Sequence, residues 1–239
     1  MQSPNEGVLP LTDQTRVRRL AHYQTTDRAA LYTVLDDALT ATVAITRDSL
    51  PVALPLGFAR DGDSVLLHGS TGSDFFRRLA AGTPLYITVT HLDGLVYARS
   101  LFDSSMRYRA AVIHGVATVV PDADKQPALL TLAEHLMPGR AAEVRPMRTR
   151  ELAATLVLRV PLTNASVKDN SSSVIEEHDD GEDRTVWAGV LPLRVVAGDP
   201  EPSRDSERGP TAPSVYAARD RIHGYSSGPD GTENSERPD

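Results

Sequence analysis

The chain has no cysteine among its 239 residues, which removes disulfides, thiolate nucleophiles, zinc–thiolate sites and iron–sulfur clusters together. Aromatic residues are scarce, with a single tryptophan, so Trp187 is either a core anchor or a ring free to stack on a planar ligand. No apolar run approaches the roughly 18 residues of a membrane span. The start, MQSPNEGVLPLTDQ, lacks the basic-then-apolar order of a signal peptide, and a cytoplasmic protein without membrane contact is expected. Positive charge is also short: a formal net charge of -7 argues against general nucleic-acid binding while leaving room for a small basic pocket. No nucleophile-elbow pattern is present, so Ser–His–Asp hydrolysis has no support, and no internal repeat is found.

What is present is ordinary for a globular domain, 40% apolar and 24% charged residues, enough for a real core at this length. From Gly198 the chain reads GDPEPSRDSERGPTAPSVYAARDRIHGYSSGPDGTENSERPD, too poor in aliphatic residues to offset chain entropy. A disordered acidic tail is expected over 198–239, with VYAAR its only docking candidate. A flexible N-terminus is expected over 1–15 and a long polar loop over 168–185, which leaves one domain over 16–197.

Within that span, Leu31, Val34, Leu35 and Ala38 share a helical face behind a cap at Thr26 or Asp27. Strands follow at 42–46, 52–59 and 64–69, joined by the turn signals RDSLP and DGD. Ser73 caps a helix stopped by Gly82. Two strands, PLYITVTHL and LVYARS, are expected to meet at Asp93-Gly94, followed by a long strand over 107–120. A helix over 124–137, a short one around Glu151, a strand over 155–162 and a last core piece, VWAGVLPLRVV, complete the domain. Mostly hairpin-linked strands with few helices predict an antiparallel barrel with peripheral helices.

Three groups of residues carry candidate chemistry. HGSTGS, from His68 to Ser73, lies between a strand and a helix, where backbone N–H groups and hydroxyls serve equally as an anion site or as a plain cap. The knot between LVYA and YRAAVIHG carries Arg99, Ser100, Asp103, Ser104, Ser105, Arg107 and Arg109. Arg107 and Arg109 share a strand face, which suits a phosphate clamp, a subunit interface or a solvated surface. His68, His91 and His114 lie in expected strands, but no pair has ligand-like spacing, and no metal site is expected.

Taken in order, YTVLDDAL, LLHGSTGS, ITVTHLDGLVYARS followed by SSMRYRAAVIHG, PGRAAEVRP with TRELAAT, and VWAGVLPLRVV resemble one family. It is the pyridoxamine 5′-phosphate oxidase-like, flavin-nucleotide-binding proteins, in particular the branch related to nitroimidazole-resistance reductases. The resemblance implies a mainly β fold, the FMN-binding split barrel, and a homodimer with FMN at its interface. It places Leu54, Pro55 and Leu56 along the flavin ring, His68, Gly69, Ser70 and Ser73 near the phosphate, Ser105 and Arg109 after the knot as cofactor contacts, and Trp187 near the ring. Asp74 and Phe75 stand where many members carry a lysine or arginine, and Asp103, Ser104 and Arg107 where the branch carries histidines and an asparagine. The implied function is an FMN-dependent oxidoreductase acting on a small aromatic or heteroaromatic molecule, with His68 as proton donor. The alternatives are a non-catalytic flavin-binding or interaction protein without catalysis, and a member of the fold that binds haem through a histidine.

Overall fold

The computed structural model describes residues 7–171, 183–204 and 210–226. The chain enters through β1 (Gln24–Thr25) and α1 (Arg28–Asp36), where the Asp27 carboxylate accepts from the Ala29 N–H and Leu31, Val34 and Leu35 turn inward. Two hairpins follow, β2 (Thr40–Arg47), β3 (Leu50–Asp61) and β4 (Ser64–Ser70). The first turns at Asp48 and Ser49, both with positive φ of 52° and 65°, the conformation a two-residue hairpin loop requires. Next come α2 (Asp74–Ala80), β5 (Leu85–Tyr97), β6 (Ser105–Gly115), β7 (Thr118–Val119) and α3 (Asp122–Leu136). The remainder is α4 (Thr149–Ala153), β8 (Thr155–Pro161), β9 (Ala165–Asp169), β10 (Gly189–Pro192) and α5 (Pro213–Ser226).

The strands lie in the order β1-β9-β6-β5-β2-β3-β4-β8-β7, with β10 against the end of β5. All of the pairings are antiparallel. The sheet curls without closing, which makes the fold the expected split β-barrel. Alternation along each strand sends Val43, Ile45, Val65, Leu67, Ile87, Val89, Ala111 and Ile113 into the barrel, closed at one end by Leu31 and Leu35. On the outside of β3, β4 and β8, Ala59, Leu66 and Val157 form a second core with Ala128 and Leu132 of α3. No described helix is long and apolar enough to cross a membrane.

Five expectations change. Residues 7–15 are part of the packed body rather than a loose end: Leu9 is buried in the main core, and Thr15 bonds to the Pro10 carbonyl. The strands expected on either side of Asp93-Gly94 are one strand, β5, with a register shift between Leu92 and Gly94. A Cβ at Gly94 would stand 2.9 Å from Val190 and 3.0 Å from the Leu191 carbonyl, so this glycine admits the crossing β10 rather than a turn. Lys168 and Asp169, expected in a loop, end β9, which pairs with β6; residues 172–182 of that loop lie outside the described residues. VWAGVLPLRVV is not a core piece, since Trp187, Val195 and Val196 are 66%, 76% and 71% exposed. Finally, the tail carries α5, held by polar contacts that hydrophobic periodicity does not register: the Ser214 N–H and hydroxyl both bond to Glu143, at 2.8 and 2.5 Å.

Candidate functional site: the split between the sheets

The site starts from a change of partner in β3. Leu50 to Gly57 pair with β2, but Phe58 to Asp61 pair with β4, while β4 runs on beyond Leu67 with β8 as far as Ser70. The two sheets therefore part at Gly57 and His68. One edge of β3 from Leu50 to Gly57 has no strand beside it among the described residues, which leaves backbone N–H and C=O groups at the opening. Leu54, Pro55 and Leu56 form one lip; His68, Gly69 and Ser70 form the other. Leu54 is 37% exposed although it sits in the middle of a strand.

His68 shares the outward face of Leu66 and makes no hydrogen bond among the described residues. Although the residue reaches solvent, the protein around its ring pushes the imidazole pKa below the ordinary histidine value, so the neutral form dominates. Gly69 faces inward, and a Cβ there would lie 2.3–2.6 Å from the Phe76 ring. Gly69→Ala is expected to destabilise the protein by about 1–3 kcal/mol through overpacking. An unchanged thermal midpoint would show that Phe76 does not pack there.

The 70–73 turn is largely self-satisfied. The Ser70 hydroxyl accepts from the Gly72 N–H at 3.1 Å, and Ser73 caps α2 at the Phe76 N–H. The Thr71 and Ser73 N–H groups donate to the Ala154 and Ser70 carbonyls. Of its two expected roles, the turn thus performs the cap. Asp74 is engaged by Arg78 at 2.9 Å, with Arg77 and Arg47 at 4.0 Å, and the hydrogen bond from Arg78 holds its carboxyl below the usual range.

The other candidates sit elsewhere. Ser105 opens β6, exposed, opposite Val96, and Trp187 leans on Tyr97 at 5.9 Å beside β10. The knot closes on itself: the Ser100 hydroxyl donates to Asp103 and accepts from its N–H, and the Ser104 hydroxyl donates to the Ser100 carbonyl. Leu101 and Phe102 project at its tip, 97% and 93% exposed. Arg109 turns toward the barrel end under α1. Its Nε and Nη2 meet both oxygens of Asp93 at 3.0 and 3.1 Å, and its Nη1 meets Asp37 at 2.8 Å. These carboxylates offset the cost of burial and raise the guanidinium pKa still further, so Arg109 stays charged and is held by protein rather than presented to a ligand. One chain therefore gathers the residues of β3 and β4 at the split and keeps Ser105, Arg109 and Trp187 away from it.

Two features escaped the sequence reading. Asp37 and Asp93 are the counter-charges of Arg109. Lys168 places its ammonium 5.9 and 5.6 Å from the ring centroids of Tyr23 and Tyr108; the alternation in ASVKD was the signal. His114 is buried, stacks on Tyr86 at 5.4 Å, and keeps Nε2 without a hydrogen-bond partner among the described residues. Around this pair the outer face of β5 and β6 exposes Tyr86, Leu92 and Met106 by about half, and β10 adds Leu191. No cluster of three or more metal-ligating side chains occurs among the described residues.

The family model for Pyridoxamine 5'-phosphate oxidase matches residues 27–169. Among solved structures, the FAD and heme binding protein from Mycobacterium smegmatis is 43% identical, with a TM-score of 0.79 over 82% of this chain and 97% of that one. The flavocytochrome Anf3 from Azotobacter vinelandii is 29% identical, with a TM-score of 0.80 over 86% and 96%. A 5-nitroimidazole antibiotic resistance protein from Bacteroides thetaiotaomicron shares the fold at 20% identity and a TM-score of 0.53, over 61% of this chain and 85% of that one. A search of curated proteins finds no match.

Proposed function

We propose that this chain, which belongs to the pyridoxamine 5′-phosphate oxidase family, is a cytoplasmic oxidoreductase that works as a homodimer, with a flavin nucleotide at the split and haem as a second group. The observation that carries this reading is the 43% identity, over 97% of its length, to a protein named for binding FAD and heme. FMN, implied by the sequence resemblance, and FAD share the ring that the site would hold. When bound, the flavin supplies hydride or single-electron transfer and the haem supplies single-electron transfer.

The protein's own part follows from the geometry. The open edge of β3 offers backbone C=O groups, and N–H groups except at Pro51 and Pro55, to the polar rim of a flat heterocycle, while Leu54, Pro55 and Leu56 shield its face from water. Trp187 lies beside the half-exposed apolar face of β5, β6 and β10, so in the homodimer one subunit would complete the site of the other; Ser105 alternates onto the opposite face of β6, with Arg107 and Arg109. A small aromatic or heteroaromatic substrate suits the same flat surface. The phosphate is not assigned to Arg109, which Asp37 and Asp93 already hold.

The haem ligand can be chosen among the described histidines. His91, His135 and His223 use a ring nitrogen on the carbonyls of Val34, Ala38 and Ala197. His114 lies beneath Tyr86, and His22 sits on an exposed turn against Tyr23. His68 is accessible, kept neutral by its surroundings and backed by the apolar wall of Leu66 and Val157, which fits an iron ligand better than the proton donor first expected. Titrating the cofactor-free protein with haemin should give a Soret band that His68→Ala loses. An unaltered Soret band in the variant would remove His68 from the haem site.

A further inference from the structure

Arg221 of α5 occupies a junction that neither the family fold nor the split explains. Its Nη2 donates to the Asp36 carbonyl at 2.8 Å and its Nη1 donates to the His135 carbonyl. These are carbonyls of the last turns of α1 and α3, where helices leave acceptors unpaired and the dipole favours a cation. One guanidinium thus caps two helices. The same Nη2 lies 3.1 Å from His135 Nδ1, while His135 Nε2 is 2.7 Å from the Ala38 carbonyl. A carbonyl only accepts, so Nε2 carries the proton and Nδ1 must be bare to accept from Arg221. The contact exists for one neutral tautomer and for no protonated imidazole.

We propose that α5 is an acid-released latch: neutral His135 seats Arg221 on the ends of α1 and α3, and protonation of His135 expels it. The charged groups around the ring are Asp36 of α1, Arg60 of β3, which is clamped on Asp36 at 2.6 and 2.8 Å, Arg221 of α5, and Glu134 beside it on α3, whose carboxylate accepts from the Gly139 N–H. Asp36 is already paired with Arg60, so a second cation next to Arg221 would share that carboxylate with Arg60. Burial is the largest effect and lowers the His135 pKa; the hydrogen bond to the Ala38 carbonyl opposes it, Arg221 lowers it further, Asp36 raises it and Arg60 lowers it, with a net downward shift.

The sign follows by linkage. An undocked imidazole titrates near pH 6.5, and the docked one below that, so docking is at full strength above about 6.5 and weakens as pH falls through it. The other end of α5 does not titrate in that range, because its bonds to Ser214 keep the Glu143 carboxyl below its ordinary value. Release uncaps the α1 terminus, from which Asp37 reaches Arg109 and the Val34 carbonyl reaches His91, so the latch bears on the barrel end.

Amide hydrogen exchange over residues 215–224 of the full chain, corrected for intrinsic rates, reads the latch directly. Between about pH 7.5 and 5.5 the protection of α5 should fall, by at most about tenfold, the limit set one pH unit below an ordinary imidazole pKa of about 6.5. Arg221→Ala should show low protection at both values and no step. A wild-type chain without the step, or the same step in Arg221→Ala, would overturn the proposal.

Discussion

Arg109→Ala is expected to lower the stability of the protein by about 2–3 kcal/mol, between the roughly 0–1 of an exposed ion pair and the 3–5 of a buried one that loses a partner. The intermediate value follows from burial: Arg109, Asp37 and Asp93 are 20%, 17% and 26% exposed. Removing the guanidinium leaves two carboxylates facing each other, one at the end of α1 and one in the bulge of β5, with nothing to separate their charges. Asp37→Asn and Asp93→Asn added to Arg109→Ala should restore part of the loss, because neutral amides tolerate the gap. Denaturant unfolding of the three proteins measures it. A variant as stable as the wild type that nevertheless binds flavin tenfold more weakly would return Arg109 to the phosphate.

That residue also marks where sequence reading stops. Its charge and its strand face were legible from the alternation in β6, but its partners stand 72 and 16 residues away, and nothing local reveals that two carboxylates converge on it. α1 was legible because Leu31, Val34 and Leu35 repeat at helical spacing. β2, β3 and β4 were legible because their turns carry the expected residues. Asp93-Gly94 misled for the opposite reason: Asp-Gly is a hairpin signal, and only the passage of β10 over Gly94 explains the bulge. β9 is short and half polar, and α5 docks through Ser214 and Arg221 rather than an apolar stripe, so hydrophobic pattern is silent on both. At the site, the residues named on β3 and β4 stand on the two sides of the split, and Ser70 and Ser73 also serve the turn and the cap of α2.

Ala110→Arg is expected to turn the proposed homodimer into a monomer, raising the dissociation constant at least a hundredfold. Ala110 lies on the outer face of β6, between Thr90 of β5 and Lys168 of β9. That face has large apolar side chains at half exposure on three strands, more than a solvated barrel wall ordinarily shows. In a two-fold dimer every substitution occurs twice on the same surface, so two arginines and two copies of Lys168 would be brought together. Like charges juxtaposed in an interface cost several kcal/mol. The barrel core lies on the opposite face of β6, so the monomer should stay folded. Sedimentation of the variant and the wild type at micromolar concentration separates the outcomes; a wild-type monomer would mean that the apolar face serves another partner.

The proposed shared flavin site is tested most directly by native mass spectrometry of the protein as purified from cells, without added cofactor. The predicted species is two chains of 25.8 kDa each carrying two flavins, whose added mass identifies FMN or FAD, while Ala110→Arg should appear as a single chain without flavin. A single wild-type chain, or a dimer whose flavin persists on the Ala110→Arg monomer, would contradict a site built from two subunits.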